Sequence, residues 1–380
     1  MSRLVAVTPA LPPHVHLQAE ITSTLGPLLA PDPGRRALLE RLHRSSGVRT
    51  RHLALPLDRY AGLTSFGTAN DLFIGLGTEL AAQALKDALD SAALKPADVD
   101  FVLFTTVTGV AAPSVDALLV ERLGMRPDVR RLPSFGLGCA GGAAGLSRVH
   151  DYLVGHPRDV GVLVCLELCS LTLQHGDDST ANLVSSAIFG DGAAAAVLVG
   201  SEHPAAQGTR AAVPKATPDA TPSARRAPLP VVVDGRSRVF AGTEDALGWQ
   251  ISGGGFRIVL SAGLPAVVEA HLAAEVEALL TPHGLSARDV GAWIVHAGGP
   301  KVLDAVAAAL DLPDGALDAS RASLATVGNL SSVSVLHVLH LLHTDTRLAA
   351  PAPGTVGVVM AFGPGVGCEL VLVRWPEEGE

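Results

Sequence analysis

Hydrophobic positions follow two alternating rhythms along the chain. Short continuous apolar runs at 101–107, 160–166, 193–199, 292–295, 356–362 and 370–373 predict buried strands. Between them, stretches at 71–92, 115–123, 140–154, 264–280, 302–310 and 332–342 carry apolar residues at helical spacing. Strands alternating with helices of this length predict a mixed α/β fold in which helices cover the sheet faces. The segment 202–230 breaks both rhythms. It is rich in Pro, Ala, Thr and Ser, carries Arg210, Lys215, Arg225 and Arg226, and reads as a linker or a surface loop between halves 1–201 and 231–380.

Those halves repeat three landmarks in one order. A strand ending in a glycine turn occurs at 101–109 and again at 293–299. Gly138-Cys139-Ala140-Gly141-Gly142, which opens a small-residue helix, is matched by Gly328-Asn329-Leu330-Ser331-Ser332. Phe189-Gly190-Asp191-Gly192, a turn ahead of a strand, is matched by Phe362-Gly363-Pro364-Gly365. Unequal spacing between the matches is what insertions in surface loops produce. The ordered set predicts a duplicated half, with two α/β layers about a pseudo-twofold axis. Superposing the halves would set Cys139 and Asn329 at the N-termini of equivalent central helices, with His296 joining them from a strand end. A thiol, an imidazole and an amide would then share one pocket.

Composition removes several function classes. Of 380 residues 48% are hydrophobic and 4% aromatic, and the formal net charge is -9. Nucleic acid is bound by basic faces and stacking aromatics, so no nucleic-acid partner is expected. No apolar run approaches the ~20 residues that span a bilayer. The apolar run 4–7 is broken at Pro9, Pro12 and Pro13 and lacks a signal-peptide core. Four cysteines without zinc-type spacing predict neither a disulfide framework nor a metal site, and a cytoplasmic protein without a membrane span is expected.

Cys139 lies between Gly136, Gly138, Gly141 and Gly142, which leave a thioester room to approach. A helix N-terminus there would favour the nucleophilic thiolate. Cys165, Cys169 and Cys368 lie in or beside apolar strands and read as packed thiols. His296 ends the apolar run Trp293-Ile294-Val295 and enters the turn Ala297-Gly298-Gly299-Pro300, where a rigid strand would fix an imidazole beside open space. Asn329 has two readings, a helix N-cap or a donor to a developing enolate oxygen.

Together, the turns around Cys139, Phe189, His296, Asn329 and Phe362 resemble the type III polyketide synthases, the chalcone synthase family, in family order from about Phe101 onward. The resemblance implies a thiolase-like fold of two αβαβα halves forming a five-layered core, a homodimer, and a Cys139, His296, Asn329 triad. It implies free acyl-CoA and malonyl-CoA as substrates and no further cofactor. Phe189 is similar to the family's gating phenylalanine, and Ile258, Trp249, Thr108 and Cys169 fall at pocket positions. Arg41, Gly298 and Gly299 fall at CoA-binding positions. The chain departs from the family at Ala297 (usually Pro), Ala361 (usually Gly), Ile258 (a second gating Phe in plant members) and Ala112 (a Met reaching the partner's pocket). Ile258 and Ala112 point away from an aromatic starter and towards an aliphatic one, and the expected product of its extension and cyclisation is of pyrone or resorcinol type. Leu38 and Ser45 stand at two other basic CoA positions, which Arg44 or Lys301 would replace.

Two alternatives remain at this level: a β-ketoacyl synthase acting once on a carrier protein, and a non-catalytic acyl-CoA-binding relative. His337, His340 and His343 read as a polar or interface-facing helix stripe, with no metal expected. Arg35, Arg36, Arg41, Arg44, Arg49 and Arg51 read as an anion-binding face or a solvated helix surface.

Overall fold

The structure, a computed structural model, describes residues 1–207 and 228–377. Nine strands form one sheet in the spatial order Val290–Val295, Val356–Gly363, Gly367–Arg374, Val231–Val239, Ser2–Ala10, Asp191–Gly200, Val160–Leu168, Phe101–Thr106 and Arg130–Phe135. Its seam is the antiparallel pairing of Ser2 with Val232 and Arg3 with Val231. Outward from the seam, both halves give the same order of pairings: antiparallel, antiparallel, parallel. The N-terminal half adds one parallel edge strand, Arg130–Phe135. This repetition is the duplication that the three landmarks predict.

Strand alternation then builds the layers. Val162, Val164 and Leu166 face the helix Phe66–Ser91, whereas Leu163 and Cys165 face inward. In the other half Val359 and Ala361 face inward, while Val358, Met360 and Phe362 pack against the helices Leu264–Leu280 and Pro300–Ala309. Both inward faces close on the same two helices, Gly141–Gly155 and Ser334–Thr344. The order helix, sheet, helix, sheet, helix follows, and each fully buried Val or Leu contributes about 1.5–3 kcal/mol. The inner helices approach closely because their first turns lack bulk. A Cβ on Gly142 would stand 2.2 Å from the Ser332 carbonyl oxygen.

Several elements escaped the apolar-run reading. The strand Ser2–Ala10 contains Pro9 and was legible only as a short apolar run, yet it lies at the middle of the sheet. The helix Pro33–Ser45 has little apolar surface and is set by its start, where Asp32 accepts from the Arg35 N–H and proline occupies the first turn. The strands Leu247–Ser252 and Gly255–Leu260 form a separate hairpin with a weak alternation. Of the predicted linker 202–230, residues 208–227 lie outside the described residues; Pro204–Gln207 forms a 3-10 turn. Among the described residues no helix is long and apolar enough to cross a membrane.

Candidate active site

Past the edge strand Arg130–Phe135 the chain turns through Gly136 and Gly138, with φ of 99° and 51°, into a 3-10 turn at Gly138–Ala140 and the helix Gly141–Gly155. Positive φ favours glycine, and a Cβ on Gly138 would also meet Pro364 Cδ at 2.5 Å. Cys139 is carried in this turn. In the other half a 3-10 turn at Ser331–Val333 leads into the helix Ser334–Thr344, and Ser331 has a φ of 50°. The backbone therefore matches Gly138 with Ser331 and Cys139 with Ser332, not with Asn329 as the sequence landmarks suggested. Asn329 lies three residues earlier, bolted to the Phe189 turn: its N–H donates to the Ile188 carbonyl at 2.7 Å, and its carbonyl accepts from the Gly190 N–H at 3.0 Å.

Asn329 is not the N-cap of either following element, a place taken by Leu330 and Val333; its amide fixes the turn ahead of them. Oδ1 accepts from the Ser331 N–H at 2.8 Å, fixing the turn, while Nδ2 donates to the Gly298 carbonyl at 3.3 Å. The amide also lies in hydrogen-bonding reach of the Cys139 thiol. His296 leaves the strand Val290–Val295 with its N–H donating to the Met360 carbonyl at 2.9 Å, and it is 3% exposed. Among the described residues its Nδ1 has no hydrogen-bond partner.

Cys139, His296 and Asn329 line one cavity of about 350 Å³, together with Gly298, Gly299, Lys301, Ser45 and Ser46. Behind it lies an inner cavity lined by Ile21, Leu25, Leu29, Thr108, Cys169 and Trp249. Cys139, Phe189 and Ile258 belong to both, so the thiol stands at the neck with the predicted gating residue and its aliphatic companion. Thr108 reaches the inner wall, but its hydroxyl is committed, donating to Glu167 at 2.9 Å. Arg41 is not brought in. It is exposed on the helix Pro33–Ser45 and lines neither cavity, whereas Ser45 and Lys301 do.

Burial acts on both reactive groups. It pushes the Cys139 thiol up to about 12, against hydrogen bonds from Ser331 and Asn329, and the His296 imidazole down to about 4. Burial thus opposes the thiolate that the sequence reading expects from the helix N-terminus. The dipole is worth at most ~2 kcal/mol, less than the several kcal/mol that burying a lone ion costs. Burial therefore leaves each group neutral when taken alone.

Sequence reasoning missed Glu167. Wholly buried in an otherwise apolar strand, it accepts from Ser332 Oγ at 2.6 Å, the Val107 N–H at 3.1 Å and Ser331 Oγ at 3.2 Å, and Ser331 Oγ is 3.7 Å from Cys139 Sγ. Burial pushes its carboxyl up to about 7. A lone acid inside an apolar run was the available signal.

Two surface readings also change. His337 is buried and bonded to Ser323 Oγ at 2.8 Å, and His340 is bonded to the Val7 carbonyl at 2.9 Å, so these two are tied into the fold rather than set on an open polar face. Among the described residues no group of His, Cys, Asp and Glu could hold a metal. The arginine run divides: Arg35 and Arg36 are tied to the carbonyls of Asp178 and Ala30, and Arg51 is buried.

Comparison with known proteins agrees with this geometry. Residues 1–203 match the profile of chalcone and stilbene synthases, N-terminal domain, and residues 232–375 match that of the C-terminal domain. The chain is 52% identical over 372 residues to 1,3,6,8-tetrahydroxynaphthalene synthase of Streptomyces peucetius subsp. caesius, covering 98% of this chain and 93% of that one. It is 31% identical over 350 residues to the alpha-pyrone synthesis polyketide synthase-like Pks18 of Mycobacterium tuberculosis, covering 90% and 83%. The crystal structure of the tetrahydroxynaphthalene synthase of Streptomyces coelicolor superposes with a TM-score of 0.86 at 29% identity over 98% of this chain and 99% of that one. With both halves matched, the chain belongs to the chalcone and stilbene synthase family and is a type III polyketide synthase, a thiolase-like condensing acyltransferase.

Proposed function

We propose that this synthase works on free CoA thioesters without a further cofactor, through Cys139, His296 and Asn329. The supporting observation is that these three line one cavity at the neck of a second, inner one. Cys139 attacks the starter thioester as His296 takes its proton, and the proton then leaves with the departing CoA thiol. Malonyl-CoA follows into the outer cavity with its thioester oxygen against Asn329 Nδ2 and His296. Loss of carbon dioxide puts the electron pair into an enolate that those donors stabilise. The enolate carbon attacks the acyl-Cys139 carbonyl, the C–S bond breaks, and the lengthened chain returns to Cys139 for another round. Lys301 and Ser45 in the outer wall, with Arg41 and Arg44 outside it, suit the CoA phosphates.

For the product, the 52% identity to a tetrahydroxynaphthalene synthase supports a polyhydroxylated naphthalene. Ten ring carbons with oxygen on alternate positions correspond to five two-carbon units joined head to tail, so malonyl-CoA would supply starter and extender alike. A second reading, an aliphatic starter closed to a pyrone or resorcinol, is favoured by Ile21, Leu25, Leu29 and Leu53 in the inner cavity. Malonyl-CoA alone, and then with acyl-CoAs from acetyl to stearoyl, separates them by product mass. A naphthalene-type pentaketide from malonyl-CoA alone supports the first; silence until a long acyl-CoA is added supports the second.

A homodimer of two duplicated chains, 1–201 and 231–380 being the halves, is part of the proposal. The edge strand Arg130–Phe135 is exposed almost throughout and presents Leu132 and Phe135, at 47% and 46% exposure, as an unpaired apolar edge. Four free cysteines suit the cytoplasm. Sedimentation at micromolar concentration should give twice the chain mass; a monomer would remove the dimer from the proposal.

A further inference from the structure

Arg51 is the one strongly charged group in the inner cavity wall that the condensation scheme does not use. It is 3% exposed, yet it lines that cavity with Cys139, Ser185 and Asn182. Its guanidinium is pinned on two sides: Nε donates to Gln18 Oε1 at 3.0 Å, and Nη1 to the Phe189 carbonyl at 2.7 Å. Gln18 is itself held, donating from Nε2 to the Ala187 carbonyl at 2.8 Å. Nη2 is buried with no hydrogen-bond partner among the described residues. The nearby carboxylate of Asp191 does not supply one. It accepts instead from the Ala54 N–H at 2.6 Å, the Ser170 N–H at 2.8 Å and the Ser170 hydroxyl.

Asp191 supports the buried guanidinium through space, but the guanidinium's hydrogen-bond partners are neutral, and a buried nitrogen left unsatisfied is expensive unless something completes it. No wall residue completes it as placed: Ser185 and Asn182 line the cavity without bonding Nη2, and Ile21, Leu25, Leu29 and Leu53 carry no side-chain acceptor. The occupant of this cavity can, since the chain grown on Cys139 carries oxygen at alternate carbons. We propose that Arg51 is a specificity-determining residue: its free Nη2 holds a ketone or carboxylate oxygen at the distal end of the acyl group on Cys139, selecting oxygen-bearing chains over plain alkyl chains. This deepens the malonyl-only reading and rests on it. The aliphatic lining around Arg51 then packs the methylenes between oxygens.

Matched pairs of CoA thioesters test this. Acetoacetyl-CoA and butyryl-CoA share a four-carbon chain and differ by one ketone oxygen; malonyl-CoA and propionyl-CoA share three carbons and differ by a carboxylate. Acyl-Cys139 formation is followed by intact-protein mass spectrometry, giving kcat/KM for loading of each. Wild-type protein should load the oxygen-bearing member at least tenfold better in one pair or both, the pair identifying ketone or carboxylate as the group held. In Arg51→Met that ratio should fall at least tenfold, mainly through KM, and Arg51→Lys should restore part of it. Equal loading within both pairs by wild-type protein overturns the proposal, as does an unchanged ratio in Arg51→Met with both members slowed together, the mark of a purely structural arginine. Should Arg51→Met fail to fold, the wild-type ratios and Arg51→Lys decide. If wild-type protein makes no extended product from malonyl-CoA alone, the malonyl-only reading itself has failed; if it makes that product yet loads both members equally, only the role of Arg51 has.

Discussion

Two opposing demands meet at Cys139, which must be enclosed to exclude water from an enolate and must still lose a proton. Enclosure pushes the thiol up to about 12 and His296 down to about 4, and in the proposed scheme the imidazole takes the proton that the thiol must lose. His296→Gln should therefore slow iodoacetamide labelling of Cys139 at pH 7 by at least tenfold and move the midpoint of its pH profile upward. Equal labelling in both proteins would mean that the thiol is activated without the imidazole. In the proposed scheme Asn329 acts later in the cycle. Asn329→Ala should slow malonyl-CoA decarboxylation by about 10²-fold, the usual effect of losing one oxyanion donor, while starter loading on Cys139 changes far less; carbon dioxide release and protein mass measure the two separately. At this scale the triad was legible because glycine turns mark places where a backbone must approach a ligand. Glu167 and Arg51 were missed: a lone acid in an apolar run was the one sign of burial at Glu167, and the polar neighbours of Arg51 gave none. Only the fold turns Arg51 from one member of an arginine run into the wall of a cavity.

Among the elements, the two inner helices carry the tightest constraint, because the start of one meets the turn leading into the other, at Gly142 and Ser332. A methyl group at Gly142 would collide with the Ser332 carbonyl oxygen, and backbone cannot yield as a flexible side chain can. Gly142→Ala should cost about 1–3 kcal/mol, read from denaturant midpoints, and lower condensation by displacing the Ser331 turn. A stable, fully active variant would show that the helices need not approach so closely. The run Gly138-Cys139-Ala140-Gly141-Gly142 announced this contact in the sequence. The register across the pseudo-twofold did not: Asn329 looked like the mate of Cys139 because both follow glycine, whereas the backbone conformation pairs Gly138 with Ser331. Strands that are continuous apolar runs were equally legible, but Ser2–Ala10 was not, because its place at the sheet centre comes from long-range pairing that no local pattern encodes.

For the molecule as a whole, buried titrating groups set an acid limit. His43 and His337 are held down to about 3 and His296 to about 4, so they stay neutral in the fold while the unfolded chain protonates them below about pH 6.5. Their contribution is present above that pH and is lost as pH falls. Glu167 and Asp191, raised to about 7 and about 6, act oppositely, contributing most at low pH and losing it as pH rises through those values. Three histidines outweigh two acids between about pH 6.5 and 5, by about 1 kcal/mol per pH unit. The thermal midpoint should therefore be lower at pH 5 than at pH 6.5; a higher one would mean that the acids dominate. The duplicated topology that buries these groups also joins the two catalytic halves, so function rests on the intact chain. Its most direct test is to incubate wild-type and Cys139→Ala protein with malonyl-CoA and acyl-CoA starters, without carrier protein, and to read protein adducts and products by mass. An acyl adduct on Cys139 and multiply extended products from wild type, with neither from a folded Cys139→Ala, is the predicted result. Extended products from Cys139→Ala, or a single extension that appears only when carrier protein is added, would contradict the account.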